Sequence, residues 1–303
     1  MAYRLRRKDR SIEKAVRRIA REQIGKALNA IEDCENPAEP VHDIRKHCKK
    51  LRGLLRLVRG DFADYAQENA AFRDIAARLA APRTTRVTLT IFDRLRDDMN
   101  GTAKGKALAD YRGFLAEAII PDRPADTPAA ALDECRALLE DAAQRARKWH
   151  LDDDGWSAIR GGLARSYSRG FDRFARLSAD VSDGPSASAL HDARKDLKDH
   201  WYHTRLLENL DPAKMRARAR IAHRLTEAMG DHHDLSDFES ALNAAGDPRH
   251  EELREILLVL ARRDRAILEE RMRELGAKLL TPAPDALVKD WHGLWKRWRG
   301  GRG

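Results

Sequence analysis

Three cysteines in 303 residues, odd in number and with no Cys-x-x-Cys pair, cannot make a disulfide framework or a thiolate metal site. Cys34, Cys48 and Cys135 read as free thiols of a reducing compartment. Aromatic residues are 6% of the chain, too few for the cores of most sandwiches or barrels. Long apolar runs are missing as well. The longest aliphatic stretch, Ile256 to Ala261, falls far short of the roughly 20 residues a membrane-spanning helix needs. Met1 to Lys8 is charged and no apolar h-region follows it, so no secretory signal is expected and the cytoplasm is the expected location. Acid is short relative to base: 49 Asp+Glu against 58 Lys+Arg gives a formal +9. That balance favours polyanionic partners without choosing among nucleic acid, polyphosphate and anionic lipid.

What is abundant is charge in helical register. Charged residues are 35% of the chain, a proportion typical of long amphipathic helices. Apolar residues recur at helical spacing over 9–34, 38–60, 62–81, 84–100, 103–120, 127–150, 155–179, 187–209, 212–229, 234–245, 248–278 and 284–299. The breaks carry Pro and Gly: Asn36-Pro37, Pro82, Asn100-Gly101, Pro121 through Pro128, Asp183-Gly184-Pro185, Asp211-Pro212 and Gly246-Asp247-Pro248. One stretch, Arg83 to Ile91, is β-branched and alternating like a strand. Val87, Ile91 and Leu95 nevertheless keep i,i+4 spacing and no partner strand is visible, so it is read as helix. The expected fold is all-α, two pseudo-equivalent bundles side by side. A single domain over 9–299 would comprise an N-terminal half, 9–150, and a C-terminal half, 151–299. The joint is placed at Pro121–Pro128 or at the Asp152-Asp153-Asp154-Gly155 turn.

Duplication supports the two halves. Val41-His42-Asp43-Ile44-Arg45-Lys46-His47-Cys48-Lys49 and Leu190-His191-Asp192-Ala193-Arg194-Lys195-Asp196-Leu197-Lys198 both read apolar-His-Asp-x-Arg-Lys-x-x-Lys, and lie 149 residues apart. At about 100° per residue from His42, Arg45, Lys49, Arg52, Arg56 and Arg59 share one arc, beside a core stripe of Ile44, Cys48, Leu51, Leu55 and Val58. Arg194, Lys198 and Arg205 repeat the row, with Trp201 where Arg52 would stand. A solvated face normally mixes both signs at i,i+4, whereas these rows hold almost no acids. A surface for an anion follows from that contrast.

The two HDxRKxxxK segments resemble the repeated signature of the CHAD domain, the conserved histidine α-helical domain. Gly162-Leu163-Ala164-Arg165-Ser166-Tyr167-Ser168-Arg169-Gly170 and Met229-Gly230-Asp231-His232-His233-Asp234-Leu235 share the resemblance, which covers nearly the whole chain. It implies two pseudo-twofold-related bundles of four-helix type flanking a basic groove or central pore, and a non-enzymatic, cofactor-free binder of inorganic polyphosphate. It also implies partnership with a triphosphate tunnel enzyme or association with polyphosphate granules. The strands and ExExK motif of a tunnel domain are absent, so such an enzyme would be a separate polypeptide. Carried over residue by residue, the implied site takes His42, Arg45, Lys46, Lys49, Arg52 and Arg56 from the first copy. His191, Arg194, Lys195, Lys198 and Arg205 come from the second, with His233 beside them. Arg165 and Arg169, one turn apart, are expected to face the same groove, as are Arg17 and Arg21 on the first helix. Where the family tends to place Arg-Asp opposite His233-Asp234, this chain has Arg83-Thr84, so strict twofold equivalence is not expected.

Two rival functions share these residues. Asp231-His232-His233-Asp234 and the His-Asp pairs at 42–43, 191–192 and 233–234 contain ligand types for a metal-dependent phosphohydrolase. Neighbours on a helix diverge by about 100°, so that string could converge on one ion only in a turn. Nucleic acid could occupy the same basic surface, although aromatic stacking platforms are scarce beside the first cation row. His42 and His191 have two compatible readings, holding the helix starts or donating to phosphate. His47, His200 and His203 read as surface or packing residues. Trp291, Trp295 and Trp298 at i, i+4, i+7 read as the docking face of a tail helix.

Overall fold

A computed structural model describes residues 3–34, 40–79, 83–98, 105–119, 128–179 and 187–300. It is helical throughout, with no strand among the described residues. In chain order the helices are α1 (Ile12–Glu32), α2 (Pro40–Leu57), α3 (Tyr65–Arg78), α4 (Arg83–Asp98), α5 (Gly105–Ala118), α6 (Pro128–Ala146), α7 (Ser157–Ala179), α8 (Ala187–Leu206), α9 (Pro212–Ala244), α10 (Glu251–Leu279) and α11 (Pro284–Gly300). Their ends follow local chemistry. The Ser11 hydroxyl accepts from Lys14 N at the start of α1. Asp211 does the same for Lys214 N at the start of α9, with Pro212 in the first helical position. The β-branched stretch is helical, as its i,i+4 spacing requires: Ile91 and Leu95 of α4 are buried.

Helices α1, α2, α3 and α6 close into a four-helix ring, each packed on two of the others. Ile12, Ile19, Ile24, Ile44, Leu51, Leu55 and Phe72 fill it. Helices α7 through α10 pack in succession, with Phe174, Leu190, Leu197, Leu225 and Leu279 inside. The α4–α5 hairpin leaves its own half and packs on the far ends of α9 and α10, where Phe92, Tyr111, Phe238 and Leu257 make a third core. The two halves of the sequence therefore interlock. The expected joint at 121–127 lies outside the described residues, as do Asn36-Pro37, Pro82, Asn100-Gly101 and Asp183-Gly184-Pro185. The alternative joint is a turn in which Gly155 takes φ +62 and Asp154 Oδ1 accepts from Ile12 N at 2.6 Å. Helix α11 docks on α7 by its tryptophan face, with Trp291 and Trp295 buried.

The expected break between 229 and 234 does not exist. Residues 212–244 form one helix of 33 residues through Gly230. No turn calls for glycine there; its missing side chain leaves room for the tip of Arg194, since a Cβ at Gly230 would stand 2.8 Å from Arg194 Nη2. At the other end of the interface, a Cβ at Gly162 of α7 would stand 2.1 Å from Leu57 O and 2.3 Å from Arg56 O. Only a residue without a side chain lets α7 lie on the end of α2 and bring its own arginines beside Arg56.

Candidate functional site

Helices α2 and α8 cross just past the two motif copies. Gly53 packs on the Tyr202 ring, and the buried His203 Nε2 donates to Gly53 O at 3.1 Å. The motifs hold their helices alike. Arg45 Nη1 donates to Ala76 O on α3 at 3.0 Å, and Arg194 Nε donates to Thr226 O on α9 at 2.8 Å. Lys46 pairs with Asp43 and Lys195 with Asp192, both at i,i+3. The motif arginines thus pin each helix to the next while remaining half-buried at the surface.

Between α8, α7 and the end of α2 lies a cleft of about 350 Å³. Its cations are Arg56, Arg59, Arg165, Arg169, Arg173 and Lys195, and Tyr65 and Ser166 complete much of the wall. The floor holds three carboxylates, Asp192, Asp196 and Asp199, which α8 carries on the arc beside its cation row. Arg56 Nη1 donates to Asp199 Oδ1 at 2.6 Å. Asp196 takes Arg173 Nη1 at 2.8 Å and lies 3.4 Å from Arg169 Nε. Burial pushes the Asp199 carboxyl up to about 6, outweighing the attraction of Arg56, and raises Asp196 in the same direction despite Arg169 and Arg173. Six cations against three carboxylates leave the cleft net basic.

A second basic surface flanks the crossing. Burial first, then Arg194 and Lys49, pulls the Lys198 ammonium down to about 8, which places the row lysines of both copies in each other's field. Lys198 Nζ and Arg205 Cζ lie 5.0 and 4.9 Å from the Trp201 ring centre, and His223 is stacked on that ring. Arg52 Nε donates to Asn69 Oδ1 on α3 at 3.2 Å.

Of the residues predicted from sequence, Arg56, Arg165, Arg169 and Lys195 line the cleft, while Lys49, Arg194, Lys198 and Arg205 lie along the crossing. His42 is exposed on the first turn of α2. His191 and His233 face each other with ring centres 5.7 Å apart. Arg17 is turned to Trp149 O and Glu13, and Arg21 is exposed on α1; neither lines the cleft. The side chains of Arg83 and Thr84 lie outside the described residues. Sequence reading missed Arg173, although it follows Arg169 at i+4, and missed the carboxylate floor, although Asp196 stands inside the second motif. His47, His200 and His203 are buried packing residues. Because α9 is continuous, His232 and His233 diverge: His232 donates to Glu269 on α10 at 2.9 Å, while His233 faces His191 and Asp237. Among the described residues no three His, Cys, Asp or Glu side chains are grouped to hold a metal ion.

These features define an all-helical protein built around a cation-lined crossing of two repeated motifs. The chain belongs to the CHAD domain family, which it matches over residues 10–243. Its fold is similar to that of the CHAD domain from the plant Ricinus communis, at a TM-score of 0.56 and 20% identity over 91% of this chain and 94% of that one. It is also similar to PptA from Streptomyces chartreusis, at a TM-score of 0.61 and 14% identity over 84% and 95%. No curated protein matches the chain. Among the described residues no helix is long and apolar enough to cross a membrane.

Proposed function

We propose that the protein binds inorganic polyphosphate without turning it over, along the crossing of α2 and α8 and into the adjoining cleft. One observation carries this reading: Arg56 from the first cation row and Lys195 from the second motif line one cleft together with Arg59, Arg165, Arg169 and Arg173. Burying like charges together is costly, and an anion relieves that cost. A polyphosphate chain offers a charge at every unit, and each cation that neutralises one releases a condensed counterion. Arginine forks grip paired phosphate oxygens, while lysines act as mobile point charges. In the cleft the carboxylates hold the arginines in place before the ligand arrives, and the ligand competes with them for the same guanidinium groups. Family membership points the same way. Residence in the cytoplasm, on polyphosphate granules, or beside a separate triphosphate tunnel enzyme belongs to the same proposal.

Titration with polyphosphates of graded length, with and without EDTA, tests it. Binding is expected to strengthen with length, weaken steeply with salt and ignore the chelator. Release of phosphate that EDTA abolishes would establish a hydrolase instead. RNA or DNA competing at equal charge concentration would establish a general polyanion surface.

A further inference from the structure

Counted from the motif histidines, like positions of the two copies meet at the crossing, but their charges do not match. Gly53 and Tyr202, which touch, each stand eleven residues past the histidine. Fourteen residues past it both copies carry arginine, Arg56 and Arg205. Eight residues past it the second copy has Asp199 and the first has Lys50. At one end of the crossing, therefore, Arg56 meets Asp199 at 2.6 Å. At the other end Arg205 meets a second cation. Lys50 Nζ and Arg205 Cζ stand 6.0 and 5.8 Å from the centre of the same ring, that of Tyr3.

Both side chains are half-buried, and no carboxylate lies within ion-pair distance of either among the described residues. Asp43, the acid on this side of α2, is already held by Lys46. The other charged or titratable groups facing Lys50 are Lys26 from α1, His47 from α2 and the ring of Tyr3. Burial and Lys50 keep His47 neutral by pulling it down to about 4, so it supplies no compensating charge. The wall behind the pair is fixed: Tyr3 OH donates to Lys50 O at 2.6 Å, and Leu5 N donates to Leu206 O at 2.8 Å.

We propose that Lys50 and Arg205, with Lys46 at the rim, form a phosphoryl-binding subsite at the end of the α2–α8 crossing away from the Arg56–Asp199 pair. The subsite rests on the polyphosphate reading and gives the same chain a second point of attachment, one where neither Lys50 nor Arg205 has an ion-paired carboxylate to release, although Lys46 at the rim is paired with Asp43. Burial first, then Arg205, Lys46 and Lys26, pulls the Lys50 ammonium down to about 8. A phosphate seated there favours the charged form, so binding takes up protons near that pH.

Calorimetric titration of the full chain with long-chain polyphosphate, in two buffers of different protonation enthalpy at about pH 8 to 8.5, measures both affinity and proton uptake. Lys50→Met is expected to weaken binding several-fold and to remove part of the uptake, Lys198 supplying the rest. Lys50→Arg is expected to restore affinity without restoring that part of the uptake. Lys50→Asp gives Arg205 the partner that Arg56 already has, so it is expected to melt no lower than wild type and to bind more weakly than Lys50→Met. Wild-type affinity and uptake in both Lys50→Met and Lys50→Asp would overturn the subsite while leaving the cleft in place. A wild-type chain that binds no polyphosphate would overturn the subsite together with the reading it rests on.

Discussion

Replacing Asp199 with asparagine removes a carboxylate from the floor of a cleft that has to accept an anion. The asparagine oxygen can still take the Arg56 hydrogen bond, now 2.6 Å long, so the wall keeps its shape. A phosphate charge about 6 Å from the carboxylate, at an effective dielectric of about 40, is repelled by about 1.4 kcal/mol, or roughly tenfold in affinity. Asp199→Asn should therefore bind polyphosphate roughly tenfold tighter than wild type at about pH 7.5. Because the wild-type carboxyl titrates at about 6, the advantage should vanish as the pH falls towards 5 and Asp199 takes up its proton. Comparing the two proteins at each pH cancels every contribution that both share.

The same shift makes a prediction without ligand. A carboxyl raised from its ordinary 3.8 to about 6 by burial contributes stability that is full below 3.8 and lost as pH rises through 6. Asparagine avoids that loss but takes from the half-buried Arg56 guanidinium the charge that faces it, so Asp199→Asn should lose the pH dependence of stability that wild type shows between 3.8 and about 6. Calorimetry at fixed ionic strength reads both effects. A variant that binds no tighter than wild type at about pH 7.5 and keeps the wild-type pH dependence of melting would refute the placement of Asp199 as a buried, charge-bearing floor.

Lys49→Ala with Lys198→Ala should flatten the salt dependence of polyphosphate binding by roughly 1.4 units of slope, for two lost phosphate contacts, with circular dichroism unchanged. Arg45→Ala and Arg194→Ala should differ from that pair by also losing about 1–3 kcal/mol in urea unfolding, because each removes a charged hydrogen bond, to Ala76 O or to Thr226 O, that ties its helix to the next. Gly162→Ala should cost about 3 kcal/mol or more and weaken binding, since its Cβ would enter the backbone at the end of α2 and push Arg165 and Arg169 away. Gly230→Ala should leave helix content intact, as a continuous α9 requires, yet weaken binding by displacing the Arg194 guanidinium. A drop in helicity would mean that Gly230 ends a helix after all.

The sequence alone determined which segments are helical, that β-branched α4 is among them, that one motif occurs twice, and which residues form a cation row. Those properties are written in near-neighbour spacing, where 3.6 residues per turn decides which side chains share a face. It also identified four lining residues of the cleft, since Arg165 and Arg169, like Arg56 and Lys195, stand in recognisable motifs. Only the tertiary structure decided what faces each row. Sequence reading ended one helix at 229 and began another at 234, yet α9 runs unbroken through Gly230, where the tip of Arg194 from α8 lies close. Asp196 and Asp199 lay just off the row in sequence, and packing of α7 and α2 against α8 turned them into the floor of the site. Lys50 resembles any helix lysine until α8 crosses above it and sets Arg205 where its twin position meets an aspartate. Periodicity fixes the direction of a side chain from its own helix axis; the charge it meets there comes from a segment more than a hundred residues away.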